Sequence, residues 1–312
     1  MKLIRLLLLL AFCFLALPLA AQDGFVVMSL KGKVEAKAPG NKSVWQSVKV
    51  GDVLGQEHTV RTAFASYVKI MAAGKRLLSI DENSTRKLSQ LASSQTAPAK
   101  GSASGRLLEY AAAQVKNTRS RQDEPVFGAV RGNTEVFSAV FPKNVVMTTE
   151  PLFEWVDGGE AGEYQFLLLD DGFDVVARAS VEEHRLQYEG ETLPALEEDR
   201  EYFWRITRLS DGMDSDIQSF RILPADTIAA VREELTRLDE ELTAMGADSV
   251  TLHLIRAIYF EKRGLYSDAF IEYKETVSLA PEVDEYREML RGLLFRMKLY
   301  AEEEYLLPNH AE

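Results

Sequence analysis

Two different spacings of apolar residues divide this chain into strand-rich regions and a helical region. In residues 22–91 and 144–224, short apolar runs alternate with polar residues and end at glycine, proline, asparagine or aspartate. Such runs are typical of β-strands. From residue 225 onward, apolar residues recur every three or four positions, which is the spacing of an amphipathic α-helix. The pattern predicts a multidomain protein with two all-β regions followed by α-helices.

The N-terminus has a third pattern, an uninterrupted apolar run from Leu6 to Leu17. Basic residues precede the run, and Pro18 and two alanines follow it. This order is typical of a secretory signal peptide, and the run is short for a membrane span, which needs about 20 residues. We expect residues 1–21 to be a signal peptide cleaved near Ala21 and the product to be periplasmic or otherwise exported. An uncleaved anchor and a lipoprotein acylated at Cys13 are the alternatives.

Motifs and cysteine content argue against catalysis. Cys13 is the one cysteine of the sequence, so a disulfide framework and cysteine-ligated metals are excluded. The sequence has no nucleophile elbow, zinc-protease motif or phosphate-binding loop, and its four histidines are scattered. Two aspartate-rich segments, 170–174 and 211–216, lack the EF-hand spacing and stand where hairpin turns are expected. We therefore expect a non-enzymatic protein with no catalytic residues, no cofactor and no metal.

Residues 22–91 contain a series of short motifs in a distinctive order. They are Leu30-x-Gly32-x-Val34, Trp45, Gly51-Asp52-Val53-Leu54, Val60-Arg61-Thr62, Ser66 with Val68 and Ile70, Gly74 and Leu77–Leu88. In order and spacing these motifs resemble the FecR domain, and the resemblance implies a small all-β unit in an exported protein. Some members of that family relay an iron-uptake signal across the inner membrane, which requires a cytoplasmic segment and an internal membrane helix.

Residues 92–143 are expected to link the two β regions. Ser93–Gly105 is rich in serine, alanine and glycine, which is typical of a flexible linker. Leu107–Val115 has the spacing of a short helix that would be marginal by itself. The segment is basic, so we expect a solvated tether, with a contact to a membrane surface or an anionic polymer as the alternative. The FecR resemblance extends weakly to a strand at Val130-Arg131-Gly132.

Residues 144–224 predict about seven strands at intervals of 8–15 residues. This number and spacing are typical of an immunoglobulin-like or fibronectin type III-like β-sandwich. Leu196 precedes Tyr202 by six residues, which resembles a tyrosine corner, where the phenol bonds back to the preceding loop. We expect the aromatic residues of this region, Trp155, Tyr164 and Trp204 among them, to form its core.

Residues 225–312 predict four helices in a repeat-like arrangement. Small and aromatic residues such as Ala257, Phe260 and Ala269 stand where a tetratricopeptide repeat has its packing residues, and Leu265-Tyr266 recurs 34 residues later as Leu299-Tyr300. The resemblance implies antiparallel helix pairs with a concave, protein-binding groove. Four helices are few for independent stability, so we expect one face to pack on the sandwich or on another chain. The expected boundary residues are Asp226 and Gly246, Asp248 and Gly264, Ser267 and Pro281, and Val283 and Leu306.

Charge is distributed unevenly over a chain whose formal net charge is −12, because residues 22–143 are basic and residues 144–312 are acidic. Two functional hypotheses follow. The first is an exported, non-enzymatic binding and scaffold protein of the bacterial cell envelope; the alternative is a FecR-type signal-transduction regulator anchored by residues 3–21. We expect neither nucleic acid as a partner nor a stable transmembrane span after cleavage. Candidate partner-binding residues are Tyr259, Lys262, Tyr266 and Tyr273 for a protein, and Lys33, Lys37, Lys42 and Lys49 for an anionic polymer.

Overall fold

The computed structural model describes residues 24–40, 43–72, 76–94, 102–121, 136–159 and 162–307. The chain divides into two units, Met1–Ala97 and Pro98–Glu312. The predictions for the signal peptide, for Lys42 and for the strand at residues 130–132 lie outside the described residues. Within the described ranges, no helix is both long and apolar enough to cross a membrane.

The first unit consists of two four-stranded antiparallel sheets, with strand orders β4-β1-β6-β7 and β3-β2-β5-β8. The prediction of an all-β region is therefore confirmed, and a short helix, α1, follows the last strand. Alternate apolar residues, including Val27, Val60 and Leu78, are buried in one shared core cluster. The elements are β1 Phe25–Lys31, β2 Val34–Lys37, β3 Gln46–Ser47, β4 Val53–Leu54, β5 Thr59–Thr62, β6 Tyr67–Ala72, β7 Arg76–Ile80, β8 Thr85–Lys87 and α1 Leu88–Ser94.

Two residues of the FecR-like motif series meet at one turn between β1 and β2. Gly32 has a φ of +72°, and a β-carbon there would lie 2.3 Å from the hydroxyl oxygen of Ser66. That hydroxyl accepts a hydrogen bond from the backbone N–H of Lys33 at 2.9 Å. Glycine is therefore required at position 32 both for its backbone conformation and for the close approach of Ser66.

Residues 103–121 form a helix of 19 residues, α2 (Ala103–Arg121), where the sequence predicted mainly a flexible tether. The short helix expected near Leu107 is present but extends well beyond its predicted ends. Four of its buried residues, Ser104, Leu108, Ala111 and Val115, are 0% exposed and are spaced by four, three and four positions. The tether prediction is wrong because this stripe is buried by tertiary packing, which stabilises a helix that would be marginal alone.

In the described residues of the second unit, eight strands form a β-sandwich. A three-stranded sheet, β14-β11-β9, faces a five-stranded sheet, β10-β16-β15-β12-β13. The sandwich begins at Phe137, inside the predicted linker, rather than at residue 144. Phe153 joins the two sheets, since its ring contacts those of Phe166, Trp204 and Phe220. The strands are β9 Phe137–Phe141, β10 Asn144–Val146, β11 Leu152–Asp157, β12 Tyr164–Asp170, β13 Val175–Val181, β14 Arg185–Gln187, β15 Glu201–Arg208 and β16 Gln218–Ile222.

Two buried tyrosines tie the loop before β15 to the sandwich. The phenol oxygen of Tyr202 accepts a hydrogen bond from the backbone N–H of Glu197 at 2.8 Å. The phenol of Tyr188 donates to the carbonyl oxygen of Pro194 at 2.6 Å. The predicted bond from Tyr202 back to the preceding loop is confirmed.

Five helices follow the sandwich, and most of the predicted ends of the first three are close to the observed ones. Asp248 caps α4, since its carboxylate accepts from the N–H of Thr251 at 2.9 Å. Gly246 and Gly264 have φ values of +80° and +75° just beyond the ends of α3 and α4. Asp226 does not cap α3, because it lies inside the first turn. The helices are α3 Ala225–Ala244, α4 Ser249–Lys262, α5 Tyr266–Leu279, α6 Asp284–Arg296 and α7 Glu303–Leu306.

The predicted fourth helix, Val283 to Leu306, is divided into α6 and α7. Lys298 takes a left-handed conformation with a φ of +63°. The N–H of Leu299 donates to the carbonyl oxygen of Leu294 at 3.0 Å. The N–H of Leu265 donates to the carbonyl oxygen of Phe260 in the same way, 34 positions earlier. The chain leaves the helix here because Leu299 folds back against the helix end and is buried.

The helical array packs on the sandwich, as expected from its small number of helices. The ring of Phe270 in α5 stacks on Phe141 with centroids 4.2 Å apart. The hydroxyl of Ser267 bonds to both the N–H and the carbonyl of Lys143 at 3.2 Å. At the other end of the array, Tyr305 of α7 lies so close to Gly158 that its phenol oxygen would be 2.6 Å from a β-carbon at position 158.

Replacing Tyr202 with phenylalanine should lower the free energy of unfolding by about 1 kcal/mol, because the N–H of Glu197 loses its acceptor while the ring packing stays. Urea denaturation followed by circular dichroism measures the change. Tyr300→Phe is the matched control, since Tyr300 is 56% exposed. An equal effect of the two substitutions would contradict the role given to the phenol of Tyr202.

Candidate functional site

The face of the helical array formed by α3, α4 and α6, here called the groove, is occupied by α2. Helix α2 makes its main helix contacts with these three helices, whereas α5 packs on strand β10 of the sandwich. Three small residues of α2, Ser104, Ala111 and Ala112, are buried. Small residues let a helix approach its neighbours closely. The groove expected to be open to a partner therefore already holds a helix of the same chain.

Polar contacts hold α2 at both ends and near its middle. Near the N-terminal end, the Ser104 hydroxyl donates to the carboxylate of Glu241 in α3. Near the C-terminal end, a guanidinium nitrogen of Arg119 lies 3.3 Å from a carboxylate oxygen of Glu285 in α6. These two contacts are about 22 Å apart along the helix axis. Between them, the ring of Tyr110 lies 3.5 Å from the ammonium of Lys262 in α4.

The ion pair of Arg119 with Glu285 joins a half-buried cation to a buried carboxylate. The Glu285 side chain is 5% exposed. Burial raises the pKa of its carboxyl, and the Arg119 guanidinium acts in the opposite direction. Removing a cation from a buried carboxylate leaves a charge with too little compensation. The groove therefore favours a helix that places a cation at this position.

The predicted groove residues Tyr259 and Tyr273 are packing residues rather than an open binding surface. They are 3% and 2% exposed, which corrects the expectation that their rings face a partner. Their phenols donate to the carboxylates of Glu234 and Glu261 at 2.7 and 2.8 Å. Burial raises the pKa of both phenols, so both remain neutral hydrogen-bond donors.

The other two predicted groove residues differ in their surroundings. Lys262 is an exposed residue whose ammonium lies over the ring of Tyr110, so it contacts the resident helix directly. Tyr266 is half-buried at the start of α5. Of the four predicted residues, Lys262 and Tyr259 lie at the groove itself.

A cavity of 470 Å³ lies where the N-terminal part of α2 meets α3 and α4. Six of its ten lining residues are charged, and Arg263 pairs with the carboxylate of Glu234 there. Paired charges of this kind can orient a bound polypeptide. Nucleophilic catalysis would instead require a nucleophile beside a base, and the lining residues named here do not form such a pair. The lining residues include Arg106, Leu107, Glu234, Arg237, Glu241 and Lys262.

The basic residues predicted to bind an anionic polymer lie in the first unit and are partly neutralised. Lys33 and Lys49 are exposed and Lys37 is half-buried. The carboxylate of Glu35 lies 3.7 Å from the Lys33 ammonium and 2.8 Å from the Arg61 guanidinium. One carboxylate therefore reduces the field of two cations on this face.

The aspartate-rich segment 170–174 forms a turn in which its carboxylate is already used. Asp170 accepts hydrogen bonds from the N–H groups of Gly172 and Asp174, each at 2.9 Å. Its other carboxylate oxygen lies 2.9 Å from the guanidinium of Arg200. In the part of the chain that the structure describes, no three His, Cys, Asp or Glu residues are grouped so that they could hold a metal ion.

A polar network in the sandwich was not predicted from the sequence. The phenol of Tyr164 donates to Asp157 at 2.9 Å and lies 2.8 Å from Nε2 of His184. Asp157 also accepts from the N–H of Gly159 and pairs with Arg208 at 3.3 Å. Burial is the main cause that raises the pKa of Tyr164 to about 12. Because both oxygens of Asp157 are bonded within the fold, the network acts as structural reinforcement.

The comparisons with known proteins identify no family for this chain. No protein-family model matches it, and no curated protein matches it significantly. Among solved structures, it is similar to CopC from Methylosinus trichosporium OB3b, with 19% identity and a TM-score of 0.23. That match covers 29% of this chain and 96% of that chain. So slight a likeness indicates neither a shared fold nor a shared function.

One acidic residue of the helical array has an unusual electrostatic environment. Asp268 lies in the first turn of α5, beside Ser267, which contacts the sandwich. One of its carboxylate oxygens is buried and has no hydrogen-bond partner within the described residues. Burial is the largest cause that raises its pKa to about 7, and the charge of Glu272 adds to the shift.

Asp268→Asn should make the protein more stable than the wild type above pH 7 and equally stable near pH 4. The native state holds the Asp268 proton between the unfolded pKa near 4 and the native pKa near 7, so the contribution of Asp268 to wild-type stability falls as the pH rises through this window. Three pKa units correspond to a gain of about 4 kcal/mol for Asp268→Asn at pH 8, measured by urea denaturation across the pH range.

Asp284→Asn is the matched control for Asp268→Asn. Asp284 also lies in the first turn of a helix, α6, but is exposed. Its replacement should give no comparable gain in stability at pH 8. A difference in stability between Asp268→Asn and the wild type that does not grow between pH 4 and pH 7 would contradict the role of Asp268.

Proposed function

We propose that this chain is an exported, non-enzymatic binding and scaffold protein of the bacterial cell envelope. Its helical array would bind a protein partner through the groove. The observation that carries the proposal is that the groove already holds a helix, α2. A surface that buries one amphipathic helix has the shape and the polar contacts needed to bind another.

The same proposal identifies three modules: a FecR-like domain, a fibronectin type III-like sandwich and tetratricopeptide-like helices. The order of the sandwich strands and the bond from Tyr202 to the preceding loop support a fibronectin type III-like module. The backbone hydrogen bonds from Leu265 and Leu299, which close the ends of α4 and α6 34 residues apart, support tetratricopeptide-like pairs. The turn formed by Gly32 and Ser66 gives a physical reason for two residues of the FecR-like motif series.

Export is proposed from the order of residues at the N-terminus. The basic, apolar and small-residue segments before Gln22 are typical of a signal peptide. An exported scaffold would meet its partner in the periplasm or beyond. An anionic envelope polymer is a less favoured ligand, since Glu35 neutralises part of the basic face of the first unit.

Site-specific photo-cross-linking in cells tests the proposed function. With a benzophenone amino acid at Lys262, we expect one protein partner to be cross-linked and identified by mass spectrometry. The purified partner should then bind the full chain saturably. The matched control is the same amino acid at Ile271, which is 49% exposed on α5, a helix of the same repeat-like pair.

Three results would count against this function. They are cross-linking of equal yield from both positions, no partner at either position, and turnover of a substrate by the purified chain. The first residue of the exported protein, identified by mass spectrometry in the same preparation, tests localisation. A mature N-terminus near Gln22 supports the cleaved product, whereas a retained apolar run favours an anchored regulator.

A further inference from the structure

The contacts that hold α2 in the groove show which features a helix needs in order to bind there. The stripe of Ser104, Leu108, Ala111 and Val115 faces the groove, and two of its four residues are small. A cation is favoured at the C-terminal end, where Arg119 meets the buried carboxylate of Glu285. The groove thus recognises a basic amphipathic helix with small residues along its apolar stripe.

We propose that α2 is a resident ligand of the groove and that the protein partner supplies a helix of the same chemistry, which binds when α2 leaves. The proposal rests on the proposed function, because it names the class of partner and the regulation of the same groove. Helix α2 therefore acts as a built-in competitor. The apparent affinity for the partner falls in proportion to the fraction of molecules in which the groove is open.

Helix α2 buries little enough apolar surface for a partner helix to replace it in the groove. The large side chains that it buries completely are Leu108 and Val115, whereas α4 buries Leu254, Ile255, Ile258 and Phe260. Stabilisation by burial grows with the apolar area removed from water, so α2 gains less than α4. Most of the stability of a helix in a protein comes from tertiary packing, so a helix with less packing is held less firmly. Helix α2 should therefore leave the array at a lower free-energy cost than global unfolding.

Charge complementarity supports a basic partner. Arg106, Lys116, Arg119 and Arg121 make α2 basic, whereas the helices around it belong to the strongly acidic part of the chain. Carboxylates meet α2 near both of its ends, at Glu241 and Glu285. An acidic helix would place carboxylates beside these groups and would be repelled.

A peptide-binding experiment with the full chain tests this proposal. Cys13 is replaced by serine in every protein, and the probe is a fluorescent peptide with the sequence of residues 102–121. Ala112 is 6% exposed, so Ala112→Asp weakens the resident helix in the groove. Ala113→Asp is the matched control, because Ala113 is the exposed neighbour in the same helix.

Fluorescence anisotropy should show that the Ala112→Asp protein binds the peptide about tenfold more tightly than the wild type. The Ala113→Asp protein should stay within about twofold of the wild type, because its resident helix is intact. A peptide that itself carries Ala112→Asp should not bind. Cross-linking α2 to α3 by a bismaleimide between Ser104→Cys and Glu241→Cys should abolish binding of the peptide.

Hydrogen exchange of the wild-type chain gives a second readout that needs no variant. The amides of α2 should exchange faster than those of α4 and α5, because α2 opens without unfolding of the array. Exchange of α2 at the same rate as α4 would overturn the proposal. So would the absence of peptide binding by an Ala112→Asp protein that keeps the wild-type circular dichroism and sedimentation.

The two proposals can fail separately. A partner cross-linked at Lys262 together with no peptide binding would retain the scaffold function and overturn the helix-exchange mechanism. Specific peptide binding without any envelope partner would support the groove chemistry and overturn the scaffold function.

Discussion

The structure of the second unit depends on covering both faces of a helical array that is too small to be stable by itself. Two and a half helix pairs leave apolar residues on either side, and water is excluded from each side by a different part of the chain. On one side, Phe270 stacks on Phe141 of the sandwich. On the other, Leu108 and Val115 of α2 fill the groove. Sandwich, array and α2 therefore pack together in one unit, although the sequence pattern presents them as separate segments.

The features predicted correctly from the sequence are those that depend on neighbouring residues. Gly264 and the cap at Asp248 are examples, because a left-handed residue and a capping carboxylate act within one helical turn. The full extent of α2 was missed because its helix is stabilised by distant partners. The end of α6 was missed because Lys298, a residue that rarely takes a left-handed conformation, stands where Gly264 stands in the preceding pair. The network around Asp157 joins residues that no local pattern connects.

The uneven distribution of charge has a structural counterpart within the second unit. The basic segment before the sandwich becomes α2, and the acidic C-terminal region supplies the groove that holds it. The contact between Arg119 and Glu285 is partly shielded from solvent, so salt screens it less than it would screen an exposed pair. The charge difference between the two parts of the chain thus contributes to the placement of α2, in addition to keeping the protein soluble.

The close approach of Tyr305 to Gly158 has a consequence for how this protein can vary. Position 158 lies on the surface, where substitutions are usually tolerated. Any side chain there would meet the phenol oxygen of Tyr305, so the tyrosine side chain would have to move away from this turn. Among orthologues, glycine at this turn and a large aromatic residue at position 305 should therefore be inherited together, and a loss of one should accompany a loss of the other.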